Sequence, residues 1–381
     1  MKVLIIGGTG IIGGAITEAS AGAGHDVTVL TRSEASGKWK DIAAKYFQGD
    51  WYDDSVAAEV VDGGFDVIVD TLVFNEEQMA RSARIVNGHC KQLIYISTDS
   101  VYAHPNVDLG EDEDILMDDI KWAYGIGKRK AELYLLEHGG EYGFDWSGVR
   151  PTITFGDTRI PVGFTSRRGT YDLIDRIENN KPILRFDDHT RHALCHVSIF
   201  GKAVTGLFLN EKSYGNFYHI SDDASYTYDE IFDVIGSITG KKAVFAYLDA
   251  EVLRKYNPDI HEDMIYDKNP EFTLDNSKIK SVCPGLDLHV DLKDVLDAAV
   301  ANLRADRKED NDYGLLTDLL LIKNKNDLIK QNCDPQVIEY IEGLSEEQIR
   351  SAERYGSEAV KKNKIRKVKD ALRPIKRKIL G

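Results

Sequence analysis

Cysteine is scarce: four residues in 381, Cys90, Cys195, Cys283 and Cys333. None forms a Cys-x-x-Cys pair, and their wide spacing suits neither a zinc site nor a small disulfide framework. Reduced thiols and a cytoplasmic location are the expectation. Long apolar runs are missing as well: none approaches the ~20 residues that a membrane span needs. The chain opens on Lys2-Val3-Leu4-Ile5-Ile6 and then glycines, a buried-strand pattern rather than a secretory leader. Positive charge is in deficit. The net charge of −15 argues against nucleic acid as the main partner of the bulk surface. Internal repeats and low-complexity segments are absent.

What is present is alternation. Lys2–Ile6, Asp26–Thr31, Asp66–Thr71, Gln92–Ser97 and Trp146–Arg150 read as strands. Ile11–Ala23, Glu76–Asn87 and Tyr124–His138 read as helices between some of them. Short apolar runs alternating with helical patterns imply βαβ units, hence a Rossmann-type, doubly wound parallel sheet with helices on both faces. Such a sheet gathers its strand C-terminal ends on one rim, where ligands bind. This dinucleotide-binding core is placed at 1–155. From 156 to 304 the pattern reads as a smaller substrate lobe interleaved with late core strands. Within it Thr170–Asn180 looks helical, and Thr227-Tyr-Asp-Glu230 is a capping box opening a helix to Gly240. The charged run Arg304–Asp312 marks a boundary, leaving 305–381 as a helical extension.

Three constellations carry chemistry. Gly7-Gly8-Thr9-Gly10-Ile11-Ile12-Gly13 follows the first strand and opens the first helix. Glycines there allow a tight turn and close approach of a pyrophosphate, whose charge is favoured at a helix N-terminus. The second strand ends in Leu30-Thr31-Arg32-Ser33, with no carboxylate to bind a ribose 2′-hydroxyl. Arg32 can instead hold a 2′-phosphate by charge-assisted hydrogen bonds, which favours NADP and leaves NAD open. Gly49-Asp50-Trp51 suits an acid that accepts from an adenine amino group. The third is Tyr124-Gly-Ile-Gly-Lys128. Residues four apart share a helix face, so the lysine ammonium sits near the phenol and favours its ionised form. Hydroxyls in Ser97-Thr98-Asp99-Ser100, at the end of a strand on the same rim, can hydrogen-bond a reacting oxygen.

Gly7–Gly13, Asp50, Ser97–Tyr102, Tyr124 with Lys128, and Gly148-Val-Arg-Pro151 occur in the order of the extended short-chain dehydrogenase/reductase family. The resemblance spans about 1–304 and is to its NAD-dependent epimerases and dehydratases acting on nucleotide sugars. Asp275-Asn-Ser-Lys278 is similar to the family's D-x-S-K segment. The resemblance implies catalytic roles for Thr98, Tyr124 and Lys128, with Lys128 also binding the nicotinamide ribose, and a homodimer. It implies an oxidoreductase or epimerase, a keto-sugar reductase or 4-epimerase, working on a sugar carbonyl or carbinol. Departures place the chain in an atypical branch. Ser100 stands where the dehydratases carry a Glu after Asp99. Arg191 and His192 share the place of an Arg that grips the substrate diphosphate. Val69-Asp70-Thr71-Leu72 replaces His-Leu-Ala-Ala, and the second diphosphate Arg expected just before the D-x-S-K segment is missing, with only Lys268 nearby. The second reading is a cofactor-binding scaffold or RNA-binding protein that kept the fold. No metal is expected: His189, His192 and His196 cluster without a Cys or paired carboxylate at ligand spacing.

The tail is different in charge. Residues 351–381 hold 11 Lys/Arg and 3 Asp/Glu, a net +8 against −23 for the first 350. Ile365, Val368, Leu372, Ile375 and Ile379 make one apolar stripe, with Pro374 a kink. A basic amphipathic helix fits an anionic membrane surface; docking on the acidic body of its own or a neighbouring subunit is the other reading.

Overall fold

The computed structural model describes residues 1–42, 44–110, 117–166, 169–186 and 189–380, with the backbone alone at 106 and 367–380. The chain forms two units. The first collects Met1–Gly156, Arg191–Tyr226 and Glu271–Asp291; the second collects Asp157–Thr190, Thr227–Pro270 and Leu292–Gly381.

In chain order the elements begin β1 (Lys2–Ile6), α1 (Ile11–Gly22), β2 (Asp26–Thr31), β3 (Ala44–Gln48), α2 (Asp54–Val61), β4 (Val67–Asp70), α3 (Glu76–Val86) and β5 (Gln92–Ile96). They continue with β6 (Asn106–Leu109), α4 (Ala123–His138), β7 (Asp145–Pro151), β8 (Ile153–Phe155), α5 (Asp172–Glu178), β9 (Ile183–Arg185), β10 (Arg191–His196), α6 (Val197–Gly206) and β11 (Asn216–Ile220). Then come β12 (Ser225–Thr227), α7 (Tyr228–Thr239), β13 (Phe245–Tyr247), α8 (Pro258–Asp263), β14 (Phe272–Leu274), α9 (Ser277–Val282) and α10 (Leu292–Asp306). The last four helices are α11 (Asn311–Lys323), α12 (Lys325–Lys330), α13 (Pro335–Gly343) and α14 (Glu346–Leu380).

The first unit is built on a seven-stranded sheet in the order β11-β7-β5-β4-β1-β2-β3. Every pairing in it is parallel. The strands must therefore be buried on both faces, and their sequences show how. In β1, Val3 and Ile5 point into one apolar cluster with Ile16 and Phe200, while Leu4 and Ile6 point into another with Val60, Met79 and Leu135. Alternate side chains leave a strand on opposite faces, so one run feeds two cores. Each fully buried aliphatic contributes roughly 1.5–3 kcal/mol. The two middle helices of this part are capped by acceptors ahead of them, Asp53 for α2 and Asn75 for α3. A second sheet, β12-β10-β14-β6 with β8 beside β10, completes the unit.

The second unit has a two-stranded parallel pair, β9 with β13, and helices around it. The capping box at Thr227 and Glu230 is present, and Gly240 ends α7 in the left-handed conformation, φ 69°. Helix α5 is shorter than the Thr170–Asn180 reading; Asn180 has φ 52° beyond its end. One apolar cluster joins Phe164, Leu184, Phe186, Val244 and Leu253 to Tyr313, Leu316, Leu320, Leu328, Val337 and Ile341. The helices after 310 are thus part of this unit's core. Helix α11 shows no stripe because it buries Leu316, Thr317, Leu319, Leu320 and Leu321 nearly all round, the mark of an interior helix. Among the described residues no helix is long and apolar enough to cross a membrane.

Candidate active site

The glycine-rich turn lies at the C-terminal end of β1, as such a site requires. Gly7 sits at φ 80°, and a Cβ there would meet the Thr71 hydroxyl at 2.4 Å. A Cβ on Gly13 would strike the Gly7 carbonyl at 2.3 Å, whereas one on Gly10 meets nothing closer than 3.7 Å. Gly13 thus seats helix α1 on the turn, and Gly10 faces open space. Helix α1 has no side-chain cap at Gly10 and no acidic residue in its first turn. Its orphan N–H groups and dipole favour an anion. Thr9 ties the turn to the end of β2, its hydroxyl 3.0 Å from that of Thr31. Ile11 is exposed beside the turn, and Ile12 packs partly into the core.

Arg32 is exposed just past β2, and its guanidinium makes no ion pair among the described residues. Asp50 is exposed past β3, with one carboxylate oxygen accepting from the Tyr52 N–H at 3.0 Å. Trp51 is a different matter. Its side chain is 2% exposed, belongs to the core and hydrogen-bonds Asp70, which leaves only its backbone for a cofactor.

The other half of the site is held by α4. Two glycines inside Tyr124-Gly-Ile-Gly-Lys128 set its position. A Cβ on Gly125 would lie 2.1 Å from the Ser100 carbonyl, and one on Gly127 would lie 2.5 Å from the Phe74 carbonyl. The helix start therefore rests directly on the loops that follow β5 and β4, and this brings Tyr124 to the turn that carries Thr98. Tyr124 is 36% exposed and leans on Trp122, ring centroids 5.0 Å apart. Thr98 is buried, donating to Asp99 at 3.0 Å and accepting from the Ser100 N–H at 3.2 Å, with the Ser100 hydroxyl 3.1 Å away. Thr98, Asp99 and Ser100 are thus one hydrogen-bonded cluster.

Lys128 lies within the expected reach of Tyr124, its Nζ 6.0 Å from the phenol ring centroid. The ammonium is 2% exposed. It donates to the backbone carbonyls of Val73 at 2.6 Å and Ile96 at 2.8 Å, under the ring of Phe74 at 4.6 Å. Burial pulls its pKa down to about 7, against the opposing pull of Asp70 and Glu132.

Around this lies a buried polar chain that the sequence reading missed. Glu132 accepts from Ser97 at 2.6 Å and, through both oxygens, from Arg150 at 2.8 and 2.9 Å. Arg150 also donates to the Tyr102 hydroxyl at 2.5 Å, and that hydroxyl is 2.9 Å from His219 Nε2. Burial and the Arg150 charge lower His219 to about 3, so its ring is neutral. Tyr102 then donates to Nε2, and Nδ1–H donates to the Asp275 carbonyl at 3.2 Å. The available signal was Glu132 four residues past Lys128 on the same helix face. Asp275 lies one residue before the N-cap Asn276 of α9 and accepts from the Ser277 N–H at 2.7 Å. The D-x-S-K segment is in this respect a helix start.

Of the two diphosphate candidates, Arg191 is exposed and donates to Ser225. His192 is 1% exposed inside β10, paired with Phe272 of β14. That burial removes it as a surface grip and leaves Arg191 as the candidate. Lys268 is paired with Asp267 and belongs to the second unit. Among the described residues, no three His, Cys, Asp or Glu stand where a metal ion could be held.

A parallel sheet with a glycine turn under an uncapped helix at its strand ends defines a Rossmann-type fold. Comparison with known proteins agrees. Residues 1–91 match the NmrA-like family, and residues 75–205 match the NAD dependent epimerase/dehydratase family. Neither match spans half of the chain; together they run from residue 1 to residue 205. The chloroplast stem-loop binding protein of 41 kDa b of Arabidopsis thaliana is 26% identical over 244 residues, 60% of this chain and 60% of that protein. Among solved structures, the UDP-glucuronic acid 4-epimerase of Bacillus cereus, in complex with UDP-glucuronic acid and NAD, is 17% identical with a TM-score of 0.65. That match covers 80% of this chain and 99% of the epimerase. An epimerase from Methanothermobacter thermautotrophicus is 16% identical with a TM-score of 0.62, covering 80% of this chain and 92% of that one.

Proposed function

We propose that the protein is a nicotinamide-dinucleotide-dependent oxidoreductase or epimerase acting on a sugar carbonyl or carbinol, a nucleotide sugar being the substrate class. The observation that supports this is the docking of α4 through Gly125 and Gly127 on the Ser100 and Phe74 carbonyls, which holds the start of the helix that carries Tyr124 and Lys128 against the turn after β5. The bare N-terminus of α1, with the Gly7 and Gly13 contacts that shape the turn under it, fits the pyrophosphate of a dinucleotide. Bound there, the nicotinamide supplies or accepts the hydride. Tyr124 gives a proton to the developing alkoxide in reduction and takes one from the carbinol in oxidation. Lys128 favours the phenolate that forms when the proton leaves. The Thr98 hydroxyl, fixed by Asp99 and Ser100, orients the reacting oxygen. Arg191 would grip the substrate's diphosphate. In an epimerase Tyr124 takes its proton first and returns it after the ketone has presented its other face. NAD and NADP both suit the turn, and Arg32 favours NADP.

Tyr124→Phe tests the assignment. We expect turnover to fall ~10²–10⁴-fold or more with cofactor affinity nearly unchanged. A variant retaining wild-type rate on the true substrate would show that the phenol is not the acid/base. The stem-loop binding relative motivates a second reading, a scaffold that kept the fold and binds RNA. The two part on titration: the scaffold binds a stem-loop RNA tightly and turns over no nucleotide sugar.

A further inference from the structure

The turn that carries Thr98 runs from Ser97, just past β5, through the helical turn Asp99–Val101 to Tyr102. Both of its ends are tied to one buried ion pair. At the near end the Ser97 hydroxyl donates to Glu132 at 2.6 Å, and the Ser97 N–H donates to the Val149 carbonyl at 2.8 Å. At the far end the Tyr102 hydroxyl accepts from Arg150 at 2.5 Å. Arg150 follows Val149 in β7 and closes the circuit by donating to both oxygens of Glu132, at 2.8 and 2.9 Å. Glu132 lies on α4, four residues past Lys128 and eight past Tyr124, so the three share a helix face.

Neither charge has room to move. Arg129 also donates to Glu132 at 2.9 Å, which fills the roughly four lone-pair sites of the carboxylate. The Arg150 guanidinium packs against the rings of Phe217 and Tyr102, 4.7 and 5.1 Å from their centroids. Ser97, Tyr102, Glu132 and Arg150 are each at most 4% exposed. A buried ion pair of this kind adds little net stability, since desolvation offsets the attraction; what it can fix is geometry.

We propose that Glu132 and Arg150 are positioning residues, a buried pair that holds both ends of the Thr98 turn on the helix that carries Tyr124. The inference rests on the reading of Thr98 and Tyr124 as partners at the reacting oxygen.

The test leaves the ion pair whole and cuts its tethers, because removing either charge would strand the other in the interior. Tyr102→Phe deletes one hydroxyl and keeps the ring. Tyr218→Phe, which loses the phenol's bond to the Lys212 carbonyl, is the control. Amide hydrogen exchange of the segment 97–102 is followed by mass spectrometry. We expect exchange there to quicken about tenfold or more in Tyr102→Phe, the effect of losing a hydrogen bond to a charged group, and to keep the wild-type rate in Tyr218→Phe. Unchanged exchange at 97–102 in Tyr102→Phe overturns the proposal. A quickening of equal size across the whole first unit overturns it too, since that is what a merely structural bond would give. Ser97→Ala, at the other end, carries the same expectation and decides if Tyr102→Phe does not fold. On a nucleotide sugar that the wild type turns over, kcat should fall ~10-fold or more in Tyr102→Phe with KM within about twofold. A loosened turn with kcat unchanged overturns the positioning role. If the wild type turns over none, the functional reading fails, while exchange at 97–102 still decides whether the pair holds the turn.

Discussion

Gly125→Ala sets two effects of opposite sign against each other. Alanine inside a helix is better than glycine by about 1 kcal/mol. Here the added Cβ would lie 2.1 Å from the Ser100 carbonyl, a backbone atom that cannot swing aside. Ordinary contact needs more than about 3 Å, so the start of α4 must back away by about an ångström. Overpacking of this kind costs ~1–3 kcal/mol. The net loss of stability is therefore small, ~0–2 kcal/mol. Activity should suffer far more. Tyr124 is the adjacent residue, and a misplacement of an ångström costs on the order of 10²-fold in rate. Urea unfolding and turnover are measured on Gly125→Ala and on Gly314→Ala, whose added Cβ meets nothing within 4 Å. The control should gain ~0.5–1 kcal/mol and keep its rate. If Gly125→Ala keeps full rate, α4 is not located by this contact and the account of how Tyr124 is placed fails.

Arg32→Ala should weaken NADP and spare NAD in calorimetric titrations; tighter NAD binding by wild type, or no loss of NADP affinity in the variant, removes the 2′-phosphate role and shifts weight to the epimerase. The C-terminal helix packs on the second unit at least as far as residue 366. Ala352 is fully buried, Gly356 is packed against Leu319 and Tyr256, and Arg366 pairs with both oxygens of Asp259 at 2.6 and 2.8 Å. A cut after Arg350 should therefore lower Tm or solubility. If the basic tail is a surface anchor, full-length protein should sediment with anionic vesicles at low salt, release at high salt by screening, and fail to bind once 367–381 are removed; equal sedimentation of both forms refutes it.

The parallel sheet was legible because both of its signals are local. Strand runs such as Lys2–Ile6 and Asp26–Thr31 carry their own periodicity, and the glycine turn and the Tyr124–Lys128 pair are each complete within a few residues of sequence. The buried chain from Glu132 through Arg150 and Tyr102 to His219 was not legible, since it is assembled from α4, β7, the turn after β5 and β11. Trp51 and His192 show a second limit. A motif position says which residue follows which strand; whether its side chain faces a ligand or the core depends on the pleat and on neighbours such as Asp70 and Phe272. The glycines at 125 and 127 stand in plain view in the sequence, yet their meaning lies in the Ser100 and Phe74 carbonyls that approach them.

Both units are discontinuous, and this sets a schedule for synthesis. The sheet of the first unit is six strands wide when Pro151 has been made, but its edge strand β11 ends at Ile220. At about 5–20 residues per second, ribosomal delivery leaves the β7 edge unpaired for several seconds. The second unit waits longer. Leu184 shares a cluster with Val337 and Ile341, about 150 residues downstream, so its apolar face stays without partners for roughly 8–30 s. A nascent chain with such gaps is a natural client for chaperones that shield apolar surface, and slowing elongation between Ile220 and Val337 would prolong that need.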